Sequence, residues 1–390
     1  MTPKRLLAFA RTFRLIRRRV IQPEPVQQVR RTYVRYRGRT LSYFGGCDYF
    51  RLASHPVVLA ALRDGLRRYG LNVAASRLTS GNHRIYEKLE RQLASFFQAE
   101  AALLLSTGYV TSLAVAQALA GQFSHVLLDE RAHVAVADAA LWFDCPVLKF
   151  KHRNVDDFAH TVRRCGRGAR PIVLTDGMFS RDGSVARLRD YLGLIPRDSL
   201  LLVDDAHGAG TLGETGGGAV ELEGVSRRRV VQCVTLSKAF GVYGGAVICS
   251  RKMRAQMLAR SRVFVGSTPL PLPLADAAGA ALRLVKTDRT LRRRLNQNAA
   301  HVKSLLRRAG FALADAPGPI VPIYFSNSRT IKRLQARLLA VKILPPFIRY
   351  PGAPAQGYFR FVISSEHTRR QLDNLVAALM PFARDAVAQA

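Results

Sequence analysis

The chain has 390 residues, and its 60 Lys and Arg against 27 Asp and Glu give a formal net charge of +33. Hydrophobic residues make up 48% and charged residues 22%, which are ordinary globular values, so the composition excludes wholesale disorder. The five cysteines are scattered and form no CxxC pair. This spacing excludes a disulfide scaffold and a thiolate metal site, and it favours a reducing cytosol.

The first 40 residues contain twelve Lys or Arg and one acid, Glu24. Apolar side chains between Leu6 and Val20 recur at helical spacing among arginines, which predicts a basic amphipathic helix. We favour a helix docked on its own domain or on a dimer partner, with an acidic partner or an anionic membrane surface as the alternatives.

Neither a secretory signal nor a membrane span is predicted. The early apolar run Leu6–Ala10 is too short for a signal. The long uncharged stretch 101–124 contains polar residues and a glycine turn, which favours a buried strand, a turn and a helix. We therefore expect a soluble, cytoplasmic protein without a transmembrane segment.

Short apolar runs alternate with helical stretches between residues 45 and 285. The runs are Ala102–Leu105, Val126–Leu128, Pro171–Leu174, Leu200–Val203, Val230–Leu236 and Gly245–Cys249. Continuous hydrophobicity is typical of strands buried on both faces, so this region predicts a large α/β domain whose mainly parallel sheet is flanked by helices. In such sheets, ligands bind beyond the carboxyl ends of the strands. Residues 286–390 predict a small α+β domain, and residues 1–44 a basic N-terminal helix and arm.

Two of these runs end in residues suited to chemistry. The run Leu200–Val203 leads into Asp204-Asp205-Ala206-His207, and buried carboxylates need a cationic partner, since an unpaired one is costly. The run Val230–Leu236 leads to Lys238 in a small, glycine-bounded turn, which suits a desolvated amine that attacks a carbonyl. An acid, an imidazole and a lysine at neighbouring strand ends favour a Schiff-base site with a carboxylate under a pyridine nitrogen.

Four segments in this order resemble the α-oxoamine synthases, namely SRLTSGNH (76–83), DDAHGAG (204–210), TLSKAFG (235–241) and STPLP (267–271). The similarity is collinear from Tyr43 to the C-terminus. It implies an aspartate aminotransferase-like fold (PLP fold type I) and pyridoxal 5′-phosphate as cofactor. The implied reaction is a decarboxylating Claisen condensation of a small α-amino acid with an acyl thioester, which gives an α-amino ketone.

The resemblance also implies a role for each matching residue. Lys238 would bind the cofactor covalently and act as a base, and Asp204 would keep the ring nitrogen protonated. His207 would donate to the phenolic oxygen, while His133 would stack on the ring and donate a proton. The other implied cofactor contacts are Thr107, Gly108, Tyr109, Ser180, Thr235 and, from the second subunit of a homodimer with shared active sites, Ser267 and Thr268.

The implied substrate contacts are Arg349, which would clamp the amino-acid carboxylate through its planar fork, together with Cys47 and Ser76. Two departures from the family pattern lie in this region. Cys47 stands where family members usually carry Asn, and Ala74-Ala75 where they usually carry Gly-Gly. These departures allow an acyl or amino substrate that is not the usual one.

Within the family, SRLTSG most resembles the 8-amino-7-oxononanoate synthase branch, which condenses alanine with a pimeloyl thioester. The serine palmitoyltransferase and 2-amino-3-ketobutyrate ligase branches and a natural-product or lipid-pathway paralogue remain alternatives, and so do coenzyme A and acyl carrier protein as carriers. The presence of Lys238 argues against a catalytically inactive partner subunit. A nucleic-acid-binding protein would explain the charge, but the arginines are dispersed and form no recognisable motif, so no specific nucleic acid is expected.

Overall fold

The computed structural model describes residues 24–349 and 354–388, and the predicted helix at residues 6–20 lies outside them. The strands are β1 (Gln27–Arg30), β2 (Tyr33–Tyr36), β3 (Arg39–Tyr43), β4 (Ala101–Leu105), β5 (His125–Asp129), β6 (Val147–Phe150), β7 (Pro171–Asp176), β8 (Leu200–Asp204), β9 (Val230–Thr235), β10 (Gly245–Cys249), β11 (Ile320–Ile323), β12 (Ile343–Leu344), β13 (Phe347–Ile348) and β14 (Tyr358–Val362). The helices are α1 (Pro56–Tyr69), α2 (Arg84–Phe96), α3 (Tyr109–Leu119), α4 (Val134–Ala140), α5 (Val155–Arg164), α6 (Leu188–Leu194), α7 (Ala219–Leu222), α8 (Arg251–Arg260), α9 (Arg262–Gly266), α10 (Leu272–Thr287), α11 (Arg289–Arg308), α12 (Ser328–Ala340) and α13 (Arg369–Leu379).

Seven strands form the central sheet, in the order β4-β10-β9-β8-β7-β5-β6. Strand β10 is antiparallel to both of its neighbours, and the other six strands run in one direction. The prediction of a mainly parallel sheet is confirmed, with the run Gly245–Cys249 as its antiparallel member. Strand β6 was not predicted, because this edge strand is only partly buried and contains the exposed Lys149.

Helices cover both faces of this sheet, which explains why its strands lack hydrophobic alternation. Leu103 and Leu105 of β4 pack in one cluster with apolar residues of α3, α4 and α8. Ala102 and Leu104 of the same strand pack in a second cluster with residues of α2 and α10. Successive side chains of a strand point to opposite faces, so both sets must be apolar. Strand β4 and helix α3 also confirm the strand, turn and helix predicted for residues 101–124.

The C-terminal part contains a second, antiparallel sheet of β11, β14 and β13. Helices α11, α12 and α13 pack on it through a separate apolar cluster that includes Phe361. Helix α13 begins after Thr368, which forms a capping box with Gln371.

The hairpin sheet near the N-terminus was not predicted. Strands β1, β2 and β3 are antiparallel, and β12 from the C-terminal part adds to β3 in parallel. Phe44, which follows β3, belongs to the C-terminal apolar cluster. The N-terminal arm is therefore tied to elements that lie three hundred residues later in the sequence. Within the described ranges, no helix is both long and apolar enough to span a membrane.

Candidate active site

The parallel strands β4, β5, β7, β8 and β9 all end at one edge of the central sheet, beside a cavity of about 240 Å³. The cavity is lined by Thr107, Gly108, Tyr109, His133, Ala135, Asp176, Asp204, Ala206, His207, Thr235 and Lys238. Eight of these eleven residues were predicted from the sequence, and the structure brings them together. Their position agrees with the rule that ligands bind beyond the carboxyl ends of parallel strands.

Lys238 lies in the turn that connects β9 to β10. The turn is closed by hydrogen bonds from Leu236 N to Gly244 O (2.9 Å) and from Gly241 N to Lys238 O (2.9 Å). Gly241 has a φ of +64°, and a side chain there would also collide with the backbone of Ala53. Burial lowers the pKa of Lys238, while the nearby groups Cys47, Asp204 and Asp176 act in the opposite direction. A lowered pKa increases the share of neutral, nucleophilic amine.

Two carboxylates lie next to each other at the ends of β7 and β8, where Asp176 and Asp204 are register partners. Asp176 accepts a hydrogen bond from His133 N (2.8 Å), and Asp204 accepts one from Ala206 N (3.1 Å). Burial and the neighbouring Asp204 raise the pKa of Asp176 well above its usual range. Asp176 therefore favours its protonated, neutral form. Sequence reasoning missed Asp176, although its place directly after the buried run Pro171–Leu174 was a usable signal.

The prediction that the buried carboxylates pair with a cation is wrong for Asp205, whose hydrogen-bond partners are a backbone N–H and a side-chain amide. Its Oδ2 accepts hydrogen bonds from Ala219 N (2.8 Å) and from the Gln232 amide (2.6 Å), and the residue is fully buried. Burial raises the pKa of Asp205 to about 7. Asp205 therefore holds the start of α7 and does not line the cavity, whereas its neighbour Asp204 does.

The two cavity histidines are held in different ways. His133 caps α4, and its Nδ1 accepts a hydrogen bond from Ala135 N (3.2 Å), which leaves the ring proton on Nε2. Burial lowers the pKa of His133. His207 is buried, with its Nδ1 2.7 Å from the Tyr49 hydroxyl, and burial together with the charge of Lys238 holds its pKa well below the usual value. Both imidazoles are thus neutral at pH 7.

The turn between β4 and α3 requires glycine because there is no space for a side chain, and not because of its backbone φ angle. Gly108 has a φ of −59°, but a Cβ there would lie 2.7 Å from Thr235 Cβ. A Cβ on Gly245 would likewise lie 2.7 Å from Gly108 Cα. At the start of α3, Tyr109 N donates to Thr107 Oγ1 (3.5 Å) and Thr111 N to Gly108 O (3.3 Å), both long contacts, and backbone N–H groups at a helix start are typical phosphate donors. The site fits pyridoxal phosphate. It offers a small space that a methyl group would fill, the Thr235 hydroxyl, and the nearby Lys238 amine and Asp204 carboxylate.

The remaining predicted cofactor contacts do not line the cavity. The Ser180 carbonyl accepts a hydrogen bond from Arg360 Nη1 (3.1 Å). Ser267 is half-buried and Thr268 is exposed, in the segment between α9 and α10. The predicted contribution of Ser267 and Thr268 is to a second subunit, so their position outside this cavity does not test it.

The predicted substrate residues are also outside the cavity lining. Ser76 donates its hydroxyl hydrogen to Val265 O (2.8 Å). Arg349 is exposed, and its guanidinium lies 5.1 Å from the centre of the Phe347 ring. Cys47 is half-buried and close enough to Lys238 to raise its pKa. Ala74, at the second departure from the family pattern, has a φ of +49°, a left-handed conformation that favours glycine.

A second arginine that sequence reasoning missed belongs to this region. Arg360 lies in β14, and its charge lowers the pKa of both Lys238 and His207. It is half-buried, between the buried Phe359 and Phe361. A charged residue inside an otherwise apolar strand was the signal that could have identified it.

The fold and site define a pyridoxal-phosphate enzyme of fold type I. The sheet is mainly parallel and seven-stranded, Lys238 follows β9, and Asp204 ends the neighbouring strand β8. The family model described as aminotransferase class I and II matches residues 46–379. The chain is 39% identical to 8-amino-7-oxononanoate synthase of Thioalkalivibrio sulfidiphilus over 345 residues, which are 88% of each chain. It is 33% identical to the enzyme of that name from Trichlorobacter lovleyi, over 89% of this chain and 90% of the relative.

Solved structures agree with this assignment. Serine palmitoyltransferase of Sphingomonas wittichii superposes with a TM-score of 0.87 at 25% identity, covering 98% of both chains. At 24% identity, 8-amino-7-oxononanoate synthase of Francisella tularensis shares the fold, with a TM-score of 0.76 over 88% of this chain and 98% of its own. The chain belongs to the α-oxoamine synthase family and is a pyridoxal-phosphate-dependent acyltransferase.

Proposed function

We propose that the protein condenses L-alanine with a pimeloyl thioester, releasing carbon dioxide and the carrier thiol, to form 8-amino-7-oxononanoate. The names of the relatives at 33–39% identity support this choice of substrates. The observation that carries the proposal is the joint position of Lys238 and Asp204 in one cavity with two neutral imidazoles. The same set of groups would serve another amino acid and acyl chain, which is why the experiment below uses a panel.

Most of the residues predicted at the site have a proposed task in this reaction. When bound, pyridoxal phosphate supplies an electron sink for negative charge at the α-carbon of the amino acid. The Asp204 carboxylate stabilises positive charge at the ring nitrogen, and Lys238 Nζ takes and returns protons at the α-carbon. His133 supplies a flat surface and an Nε2–H donor. Thr107, Gly108, Tyr109 and Thr235 hold the phosphate, with Ser180 beside the ring.

The amino-acid carboxylate requires a guanidinium, and two arginines are candidates. The family resemblance assigns Arg349, which is exposed beside Phe347. Arg360 is half-buried and acts electrostatically on Lys238. A bidentate clamp must lie within reach of the bound substrate, so the position of Arg360 favours it, while Arg349 remains the prediction from sequence. Cys47 and Ser76 are proposed to line the substrate path near Lys238.

We also propose a homodimer with shared active sites, in which Ser267 and Thr268 contact the cofactor phosphate of the partner subunit. Neither residue lines the cavity of its own chain, as a contribution to a second subunit requires. Exposed apolar side chains near the same segments, including Val265 (41% exposed) and Tyr243 (49%), supply surface for such a contact. Light scattering should give twice the chain mass, and the double substitution of Ser267 and Thr268 by Ala should weaken cofactor binding without changing that mass.

The test is mass spectrometry of products after the purified protein is given a panel of amino acids and acyl thioesters. Alanine with pimeloyl thioester should give 8-amino-7-oxononanoate faster than any other pair, and Lys238→Ala should give none. The panel includes serine with palmitoyl thioester and glycine with acetyl thioester. A dominant product from either pair would assign the protein to another branch of the family. The absence of product from every pair would overturn the proposal.

A further inference from the structure

A buried tyrosine outside the cavity lining contacts a histidine that lines it. Tyr49 is fully buried, and its hydroxyl oxygen lies 2.7 Å from His207 Nδ1. The two rings meet edge to face, with centroids 6.2 Å apart. The geometry therefore joins a phenol to Nδ1 of a histidine that lines the cavity.

The backbone that presents Tyr49 is fixed from two sides. Asp48 accepts hydrogen bonds from Leu52 N (2.9 Å) and Ala53 N (3.1 Å), which holds the turn just after Tyr49. The Tyr49 carbonyl accepts a hydrogen bond from Ser365 N (2.9 Å) in the C-terminal part. The hydroxyl consequently has little freedom to leave His207, and Tyr49 is placed by contacts that are independent of the cavity.

The burial of Tyr49 indicates which atom donates. Burial raises the pKa of Tyr49 well above its usual range, so the phenol keeps its proton, and a buried O–H requires an acceptor, which Nδ1 at 2.7 Å supplies. His207 is buried next to Lys238 and Arg360 and is neutral, so only one of its nitrogens carries a proton. A proton donated by Tyr49 to Nδ1 places the ring proton on Nε2.

We propose that Tyr49 is a positioning residue that fixes His207 as the tautomer with Nε2–H pointing toward the cavity. The inference rests on the proposed function and on the role that the family resemblance implies for His207, a hydrogen bond donated to the phenolic oxygen of the cofactor. Without the Tyr49 hydroxyl, the proton distributes between the two nitrogens, and the form with an acceptor facing the cavity becomes populated. Cys47 and Arg360 are further titratable or charged groups that act on Tyr49.

The test measures the tautomer of His207 directly in the full-length protein labelled with ¹⁵N-histidine. Long-range ¹H–¹⁵N correlation spectra distinguish protonated from unprotonated ring nitrogens, and His207→Gln identifies the signals by their loss. In the parent protein, Nε2 should be protonated and Nδ1 should not. Tyr49→Phe should lose this single-tautomer pattern. Tyr86→Phe is the matched control, because Tyr86 is equally buried but donates its hydroxyl hydrogen to Leu270 O (2.6 Å).

A second measurement follows cofactor binding by absorbance titration. Tyr49→Phe should raise the Kd for pyridoxal phosphate about tenfold, as expected for one weakened hydrogen bond to a charged oxygen, and Tyr86→Phe should not. A proton on Nδ1 in the parent, or an unchanged tautomer in Tyr49→Phe, would overturn the inference. If Tyr49→Phe does not fold, the tautomer of His207 in the parent protein tests the inference by itself. The tautomer is measured whether or not any product forms, so failure of the proposed reaction is distinguishable from failure of this inference.

Discussion

At Lys238, burial and nearby charge act in opposite directions on one amine. Burial lowers its pKa, while Cys47, Asp204 and Asp176 favour the ammonium form. Burial is the larger influence, so the amine is prepared for attack on a carbonyl before any ligand enters. The second acid, Asp176, does not add a full negative charge, because its own pKa is raised by burial and by Asp204.

The two candidate clamp arginines are separated by a pair of single substitutions. Arg360→Ala should raise the KM for the amino acid about 10- to 100-fold, because one charge-assisted contact to the carboxylate is lost. The Kd for pyridoxal phosphate should stay within about twofold of the parent value. Arg349→Ala serves as the matched comparison. A strong rise in KM for Arg349→Ala with normal kinetics for Arg360→Ala would place the clamp at Arg349, as the sequence predicts.

Asp205 predicts a pH dependence of stability. Its pKa of about 7 in the folded protein lies above the unfolded value of 3.8, so between these values the folded state binds one more proton than the unfolded state. Stability from this group is therefore present at low pH and decreases as pH rises through the window, by at most about 1.4 kcal/mol per pH unit. Asp205→Asn should remove this decrease.

Urea unfolding of parent and variant at several pH values across this window measures the difference. Asp198→Asn is the control, since its side chain is 65% exposed and pairs with the exposed Arg170. Equal pH slopes for the parent and Asp205→Asn would contradict the raised pKa.

At the scale of elements, the turn from β4 into α3 joins packing to cofactor binding. Gly108, at the start of α3, lies against Gly245 of β10, and Thr235 closes the third side. The close approach brings the start of α3 to the end of β9, so that backbone N–H groups and a hydroxyl face one small volume.

Gly108→Ala should fill this volume. The new methyl group would lie 2.7 Å from Thr235 Cβ and 2.8 Å from its Oγ1, so Thr235 or the turn must move. We expect a loss of about 1–3 kcal/mol in the free energy of unfolding and a Kd for pyridoxal phosphate at least about tenfold higher. Urea unfolding and absorbance titration measure the two effects. Gly193→Ala in α6 is the control, because its Cβ meets no atom within 4 Å, and normal cofactor affinity in Gly108→Ala would show that the cradle is elsewhere.

At the scale of the whole molecule, the excess of 33 positive charges is spread along the chain and not gathered in one segment. Acyl carrier proteins are strongly acidic, whereas coenzyme A presents only a few phosphates. Opposite net charges accelerate encounter, and salt weakens this effect. The predicted basic helix at residues 6–20 is one candidate docking surface, and it lies outside the described residues.

The same acyl group should therefore be used with higher kcat/KM on acyl carrier protein than on coenzyme A. The advantage should shrink between low and moderate ionic strength, because the charges that attract the carrier are solvent-exposed. Steady-state kinetics with both carriers at two salt concentrations measure this. Equal use of both carriers with no differential effect of salt would mean that the basic surface has another purpose.

The sequence alone determined the central sheet and most of the cavity. Strands buried on both faces are hydrophobic without interruption, and the residues that follow them meet at one edge, so Asp204, His207 and Lys238 were identifiable from position. Thr235 was identified only through the family resemblance. The edge strand β6 was not predicted, because a partly exposed strand has a weak hydrophobic pattern. The N-terminal hairpin sheet was not predicted either, because β3 pairs with a strand three hundred residues away. The division at residues 44 and 285 stays a prediction.

Only the tertiary structure decided which polar groups meet. The sequence gives no sign that Tyr49 contacts His207, that Asp205 pairs with the Gln232 amide, or that Arg360 lies near Lys238. These contacts join segments between 27 and 158 residues apart, and a hydrogen bond depends on distances of tenths of an ångström that local patterns do not encode. Whether a polar residue follows a strand can be read from the sequence. Its protonation state depends on the neighbouring groups, which only folding brings together.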